Sequence, residues 1–415
     1  MQTVEEAFAN IERAYLSLAS PADPDHPRPL RLTPKVYAHG SFLLAETAGH
    51  HLATRMEMVA GRLHAASARL QAAPSLFLQR EMQMLRSTQE RLLITVSQIQ
   101  TFFSSLAGAE DTVKWFQPEI KRHTRQVNLA MAPLEVAPHL EQRLFKRLET
   151  AVLTSATLAA GKSFDYFRGR AGLAGELASR RVELLFESPF DFPRRVLAGF
   201  PMDLPDPDKE EFLPAAARFL WRALRASRGR SLVIFSSWSA LRKTHEILAP
   251  HAGKLGFRLL LQGEMSKRDL IRVFREDVHS VLLATAGYRE GIDVPGEALL
   301  NLVLHRLPFS VPDEPVIEAR MEAIERSGRD PFRHYTLPAA ALAFKQAFGR
   351  LIRRQSDFGV CLCLDGRVFK KRYGQSFLTA LPKCRMVRGP SDQVLTEVKR
   401  FLRAHEEPNP ESIRR

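Results

Sequence analysis

The chain has 415 residues, of which 45% are hydrophobic, and 60 lysines and arginines oppose 46 aspartates and glutamates for a formal net charge of +14. This length predicts two or three domains with apolar cores, and the composition excludes a disordered tail. The excess of positive charge favours a polyanionic partner such as nucleic acid.

The chain has only three cysteines. They are too few to stabilise a chain of this length by disulfide bonds or to supply the four thiolates of a typical zinc or iron–sulfur site. This usage predicts a reducing, cytoplasmic setting. No run of about 18 consecutive apolar residues occurs, which argues against a membrane span.

The first part of the chain, residues 1–140, is predicted to be mostly helical. Apolar residues recur three and four positions apart over residues 43–72 and 75–106, and Pro74 separates the two stretches. Because this spacing places apolar side chains on one face of a helix, the pattern predicts a long helical hairpin.

Strand-like apolar runs alternate with helical patterns from about residue 181 to residue 395. The predicted strands are residues 232–235, 258–261, 281–284, 299–305 and 359–364, and the predicted helices are residues 240–248, 267–274 and 339–354. This alternation predicts one α/β domain with a parallel sheet. Ligands of such sheets bind beyond the carboxyl ends of the strands. We therefore expect function in the loops that begin at Ser236, Gln262, Thr285 and Pro308.

The last predicted helix carries two candidate catalytic arginines. Gln346, Arg350 and Arg353 are separated by four and then three residues, so on a helix they share one face, with Gly349 beside them. Two guanidinium groups in this arrangement suit the oxygens of a polyphosphate and the charge that develops during phosphoryl transfer. A solvated basic helix is the alternative when this segment is taken alone.

A second candidate segment follows the predicted strand 281–284. It contains Thr285, Glu290, Gly291 and Asp293. Such a loop can offer backbone N–H groups to a phosphate, while its carboxylates bind ribose hydroxyls or orient the arginines. Ordinary turn and loop residues are the alternative reading of this segment alone.

Together, these segments resemble the DinG/XPD-like branch of superfamily 2 DNA helicases. Four stretches are similar to helicase motifs III, IV, V and VI, namely residues 154–157, 235–238, 290–296 and 346–353. Shorter phrases agree, including Leu307-Pro308-Phe309 and Asp365-Gly-Arg367. The resemblance covers about residues 113–385, with the motifs in order.

The resemblance implies an α/β fold with a RecA-like, P-loop-NTPase-type helicase C-terminal domain, preceded by a mostly helical, arch-like region. The implied divisions are residues 1–140 for the arch-like region, 141–180 for the last strand and motif III of an incomplete first RecA-like domain, 181–395 for the second RecA-like domain, and 396–415 for a helix end and tail.

The resemblance also implies residue roles in ATP hydrolysis coupled to movement on single-stranded DNA, in repair or replication. Arg350 and Arg353 would reach the γ-phosphate of ATP, with Gln346 nearby. Nucleotide contacts are implied for Glu290, Gly291, Asp293 and Gly349. Proximity to the phosphates of DNA is implied for Ser236, Ser237, Gln262 and Thr285, and coupling of hydrolysis to domain closure for Ser155 and Thr157.

The family's phosphate-binding P-loop and Asp-Glu-x-His box have no counterpart here. We therefore expect the ligands of Mg²⁺ on an N-terminal helicase half that is separate or missing, and we do not expect the chain to hydrolyse ATP alone. A non-catalytic nucleic-acid- or partner-binding remnant of such a helicase is the alternative.

Two further features could suggest chemistry. Residues 156–163 satisfy a permissive P-loop pattern with Lys162, but the loop lacks the first glycine, which disfavours a stand-alone ATPase. Cys361 and Cys363 alternate with apolar residues in a predicted strand, so we interpret them as structural thiols. Neither a metal site nor an iron–sulfur cluster is predicted.

Overall fold

The structure of the protein is a computed structural model that describes residues 2–19, 28–71, 79–104, 111–121, 124–159, 163–253, 256–288, 294, 296–310 and 314–406. The chain divides into two compact units. The first contains residues 1–136 with 312–326, and the second contains residues 137–311 with 327–415.

The first unit combines helices with a small sheet. Its elements are α1 (Gln2–Leu18), β1 (Leu30–Arg31), α2 (Pro34–Tyr37), α3 (Gly40–Gln71), α4 (Gln79–Phe103), β2 (Thr112–Lys121), β3 (Thr124–Pro133) and α11 (Pro315–Arg326). The long helices α3 and α4 are the predicted hairpin, and they begin and end within a few residues of the predicted limits.

The sheet of the first unit was not predicted. Strands β2 and β3 pair antiparallel along their whole length, from Thr112 opposite Pro133 to Lys121 opposite Thr124. Lys114 interrupts the apolar alternation that would have revealed β2, yet its side chain is buried. Its Nζ atom donates hydrogen bonds to the Ser104 carbonyl oxygen at 2.9 Å and to Ser104 Oγ at 3.0 Å.

An aromatic core joins the hairpin to this sheet. Phe42, Phe102, Phe103 and Phe116 are all buried, with ring centroids 5.1–6.2 Å apart. Helix α11 belongs to the same unit although it is distant in sequence. Within the unit, Arg320 Nε donates a hydrogen bond to the Leu134 carbonyl oxygen at 2.8 Å. The second RecA-like domain predicted from the sequence, residues 181–395, includes α11, whereas the structure assigns this helix to the first unit.

The second unit is built around a large parallel sheet. It begins with α5 (Ala137–Arg143), α6 (Asp165–Ala171), α7 (Phe192–Arg195), β4 (Val196–Pro201), α8 (Phe212–Ala226), β5 (Ser231–Phe235), α9 (Trp238–Ala252), β6 (Leu259–Leu261) and α10 (Lys267–Glu276). It continues with β7 (Val281–Thr285), β8 (Asn301–Leu304), α12 (Leu337–Phe348), β9 (Gly359–Cys363), α13 (Arg367–Lys370), α14 (Gly374–Ala380), β10 (Arg385–Gly389) and α15 (Ser391–Glu406).

The sheet has seven strands in the order β10-β4-β9-β8-β5-β7-β6, and every pair is parallel. Successive side chains of β5 enter cores on opposite faces, with Leu232 on one side and Val233 on the other. Burial on both faces explains why these strands read as continuous apolar runs. The predicted α/β fold class is confirmed, and β4 and β10 are strands that the sequence analysis missed.

The strand predicted at the start of motif III is absent. Residues 151–155 lie in irregular backbone, and Val152 is 86% exposed. A second apolar run nearby is also exposed, with Val182 at 82% and Phe186 at 81%. A strand requires a neighbour to satisfy its backbone groups, and none of the seven strands pairs with these residues. No described helix is long and apolar enough to cross a membrane.

Candidate functional site

Three neighbouring strands of the large sheet bring the predicted nucleic-acid residues to one edge. Phe235 at the end of β5 pairs with Thr285 at the end of β7, and Leu261 at the end of β6 pairs with Leu283. Ser236 and Gln262 directly follow these strand ends. Because all three strands are parallel, these side chains lie at the same carboxyl edge.

Hydrogen bonds fix the geometry of this edge. Gln262 Oε1 accepts hydrogen bonds from the Thr285 backbone N–H at 2.6 Å and from Thr285 Oγ1 at 3.0 Å. Ser237 is the N-cap of α9, since its Oγ accepts a hydrogen bond from the Ala240 backbone N–H at 3.2 Å. The loops after β6 and β7 are thereby tied together.

The helix that carries motif VI ends earlier than predicted. Phe344 and Phe348 are buried as expected, and Gln346 is half-buried in the last turn of α12. Gly349 is the C-cap, so Arg350 and Arg353 follow the helix in a turn and do not share a helical face with Gln346. The prediction of one face for these three side chains is wrong.

The helix ends where the N–H groups of Arg350 and Leu351 bond only three residues back, to the carbonyl oxygens of Ala347 and Phe348. A carboxylate that the sequence pattern does not reveal then holds the turn that follows. Asp357 is 7% exposed, and its Oδ2 accepts hydrogen bonds from the backbone N–H groups of Arg353 and Arg354, both at 2.8 Å. Those N–H groups are therefore withdrawn from the helical ladder. A Cβ atom on Gly296 would lie 2.5 Å from Asp357 Oδ1, so the motif V loop also approaches this carboxylate closely.

The electrostatic surroundings of Arg353 suit an anion. Burial lowers the pKa of its guanidinium, Asp357 opposes this effect, and the charge of Arg275 lowers the pKa further. A phosphate beside Arg353 would offset both the burial and the repulsion from Arg275. The arrangement can therefore stabilise negative charge beside the turn after α12.

The motif III residues lie close to α12. Ser155 Oγ and Thr157 Oγ1 are 3.0 Å apart, with Ser155 exposed and Thr157 half-buried. Lys345 Nζ, on α12, donates a hydrogen bond to the Ala159 carbonyl oxygen at 3.3 Å, and burial lowers the pKa of this lysine. A cavity of about 270 Å³ between the two segments is lined by Leu140, Thr157, Leu158, Tyr166, Phe167, Arg170, Ala171 and Leu342.

Several predicted residues fall outside the described ranges. These are Glu290, Gly291 and Asp293 of motif V, and Lys162 of the permissive P-loop pattern. Their proposed roles stay predictions. The thiols of Cys361 and Cys363 are buried, and burial raises the pKa of both. Among the residues that the structure describes, no group of three or more His, Cys, Asp or Glu side chains could hold a metal ion.

Comparison with known proteins decides the family. The helicase C-terminal domain family matches residues 220–384, which span the sheet edge and the arginine turn described above. This chain carries the C-terminal domain of a DinG/XPD-like superfamily 2 helicase.

Two relatives of this DinG/XPD-like chain are named as a DNA helicase and as DinG. It is 36% identical over 278 residues to the ATP-dependent DNA helicase YoaA of Haemophilus influenzae, covering 67% of this chain and 41% of that protein. It is 34% identical over 278 residues to the 3'-5' exonuclease DinG of Bacillus subtilis, covering 66% and 30%. The chain thus spans less than half the length of these relatives.

A solved structure supports the same fold. An XPD helicase structure superposes with a TM-score of 0.52 at 14% identity, covering 92% of this chain and 62% of that chain. At this identity the similarity concerns the fold alone. It agrees with the α/β fold of this chain, a parallel sheet with helices on its faces.

Proposed function

We propose that this chain provides the second RecA-like domain of an ATP-dependent DNA helicase, in which ATP hydrolysis drives movement along single-stranded DNA. The observation that carries the proposal is the turn after α12. There Asp357 holds the backbone of Arg353, and Arg350 lies within the same turn. The names of the relatives favour this function over the non-catalytic alternative. The same proposal includes a cytoplasmic location and a role in DNA repair or replication.

The arginines have a defined chemical task in this proposal. When bound, ATP supplies the γ-phosphoryl group that water attacks. Arg350 and Arg353 would place guanidinium charge against the phosphoryl oxygens, where negative charge develops as the bond to the leaving group lengthens. Gln346 and Gly349 lie beside them at the end of α12. The described residues offer no carboxylate cluster for Mg²⁺, so we derive no step through the metal.

The carboxyl edge at β5, β7 and β6 would bind the single strand. Ser236, Ser237, Gln262 and Thr285 present hydroxyl and amide groups there, and such groups bind phosphate and sugar without reading the sequence. Ser155 and Thr157 lie on a segment tied to α12 through Lys345. Through this hydrogen bond, a conformational change that follows ATP hydrolysis beside α12 would be transmitted to motif III.

The test is DNA-stimulated phosphate release by an enzyme assembled from this chain and a P-loop domain, either fused to its N-terminus or added in trans. Arg350→Ala and Arg353→Ala are each expected to lower kcat by about 10³-fold or more. Arg354→Ala is the matched control, because its side chain is exposed and only its backbone N–H contacts Asp357. Full activity in both arginine variants would refute the assignment.

A further inference from the structure

A second group of charged side chains lies at the same edge of the large sheet, outside the site described above. Arg306 lies two residues after β8, and Arg367 begins α13 four residues after the end of β9. Strands β8 and β9 are parallel neighbours, with Leu304 opposite Cys363, and β8 also pairs with β5. Both arginines therefore lie at the carboxyl edge, and the strand before Arg306 is the neighbour of the strand that ends before Ser236.

A buried carboxylate fixes Arg367 in place. Asp365 is fully buried, and its Oδ1 accepts hydrogen bonds from Arg367 Nε at 2.9 Å and from the Arg367 backbone N–H at 3.1 Å. Its Oδ2 accepts from Arg367 Nη2 at 2.6 Å and from the Leu307 backbone N–H at 3.0 Å. The carboxylate thus orients the Arg367 guanidinium in a bidentate pair.

Among the residues that the structure describes, no carboxylate hydrogen-bonds to Arg306. Its guanidinium carbon lies 5.3 Å from the ring centroid of Phe212, and its buried Nε has no hydrogen-bond partner among the described residues. Burial lowers the pKa of Arg306, as does the charge of Arg367, while Asp365 and Asp208 oppose them. Partly buried charges are normally paired. Asp365 is the one carboxylate among the described residues that hydrogen-bonds to either guanidinium group, and Asp208 acts on both through its charge alone, so donors of Arg306 remain for an external anion.

The surroundings keep this edge positive. Residues 367–388 contain seven lysines and arginines and no acidic residue. Lys370 is paired with Asp206 at 2.7 Å, whereas Arg388 lies over the ring of Phe369, with its guanidinium carbon 5.2 Å from the centroid. A planar guanidinium pair in a positive field matches the oxygens of a phosphodiester.

We propose that Arg306 and Arg367 form a phosphate-binding subsite for the backbone of single-stranded DNA. The subsite extends the path of Thr285 and Ser236 across β8 to β9, and it rests on the function proposed above. From β7 to β9 the path crosses three strand spacings, about 14 Å. At roughly 3.4 Å per nucleotide of a stacked strand, this distance accommodates about four nucleotides.

The experiment measures binding of the full chain to a fluorescent oligothymidine by anisotropy at increasing salt. Arg306→Gln is expected to weaken binding several-fold at low salt and to reduce the slope of log K against log salt by about 0.7, the value for one lost phosphate contact. Arg306→Lys should keep the wild-type slope. Arg225→Gln, an exposed change at the end of α8 beside the amino ends of the strands, should behave as wild type.

The outcomes separate the two proposals. If the wild-type chain binds the oligonucleotide but Arg306→Gln has the same slope as Arg225→Gln, the subsite is wrong and the proposed function stands. If the wild-type chain does not bind, both fail. Chemical modification of the wild-type chain tests the subsite even if the Arg306 variant does not fold. Bound oligonucleotide should protect Arg306 and Arg367, and not Arg225, from modification by phenylglyoxal. Equal modification with and without DNA would overturn the subsite.

Discussion

The side chain of Asp357 holds the backbone of Arg353, with a distance of 2.8 Å between Asp357 Oδ2 and the Arg353 nitrogen. The same oxygen accepts the N–H of Arg354. A carboxylate four residues after the arginine therefore fixes the backbone of the turn that follows α12. These two bonds involve backbone N–H groups and not the N–H groups of the guanidinium. Asp357 therefore acts as a positioning residue.

Replacing Asp357 should affect both stability and catalysis. Asp357→Ala leaves two backbone N–H groups without their acceptor, which should lower the free energy of unfolding by about 1–3 kcal/mol. In the assembled ATPase, misplacement of Arg353 should lower kcat on the order of 10²-fold. Asp357→Asn retains an acceptor oxygen and should recover most of both losses. Chemical denaturation and steady-state kinetics provide the measurements, and a kcat for Asp357→Ala equal to wild type would contradict the positioning role.

Gln262 allows a test of the DNA edge without removing a hydrogen-bond acceptor. Gln262→Glu keeps an oxygen for the Thr285 N–H and hydroxyl but adds a negative charge beside the proposed strand path. Binding to oligothymidine at low salt should weaken at least about fivefold, which corresponds to roughly 1 kcal/mol. The difference should shrink at high salt because the charges are screened. An affinity that is unchanged at low salt would remove Gln262 from the interface.

His305 should make the stability of the second unit depend on pH. Its ring is 1% exposed, lies between Phe212 and Phe235 with centroids 5.0 and 4.9 Å away, and has no hydrogen-bond partner among the described residues. Its pKa is lowered to about 3, chiefly by burial and also by the charge of Arg306, while Asp365 opposes both. The ring is therefore neutral in the folded protein, whereas the unfolded chain binds a proton below about pH 6.5.

The sign follows from proton linkage. The contribution of His305 to the free energy of unfolding is fully present above about pH 6.5. It is lost as the pH falls from 6.5 towards 3, by about 1.4 kcal/mol per pH unit. His305→Phe has no titrating ring and should show a flatter decline between pH 6.5 and about 4.5. Urea denaturation at several pH values measures this difference. Parallel pH profiles for the two proteins would show that His305 is not buried as a neutral ring.

Phe344 tests whether the motif VI helix depends on its aromatic core. The ring is fully buried and lies 5.6 Å from the ring of Phe377 on α14. Phe344→Ala should lower the free energy of unfolding by about 3–5 kcal/mol, while Phe344→Leu should cost less because it leaves a smaller cavity. Denaturant titration checks both values. A loss below about 1 kcal/mol for the alanine variant would mean that the helix is not anchored by this ring.

The central strands could be predicted because they are buried on both faces, which gives continuous apolar runs such as β5 and β7. Strand β4 was missed because Gly199 and Pro201 resemble turn residues. The structure explains the glycine, since a Cβ atom there would lie 2.7 Å from the Leu362 side chain. Strand β10 was missed because it is an edge strand with exposed Arg385 and Met386.

The positions of the residues at the strand ends could be predicted from the sequence, whereas the geometry of the turn after α12 could not. The strand ends placed Ser236, Gln262 and Thr285 correctly at one edge, because parallel topology alone requires it. The helical spacing of Phe344, Phe348 and Leu351 continues past the true end of α12, so periodicity could not reveal that end. The turn beyond that end is held by the local contact of Asp357 with the backbone of Arg353, which has no periodic signal.

The position of β4 in the sheet has a consequence for synthesis. Both of its neighbours, β9 and β10, are encoded far downstream, since β4 ends at Pro201 and β9 begins at Gly359. At about 5–20 residues per second, the ribosome needs on the order of ten seconds or more to deliver the first partner. During that interval β4 cannot enter its sheet. Pairing of such distant segments is slow, so the yield of this domain in cells should depend on chaperones that shield β4 until β9 emerges.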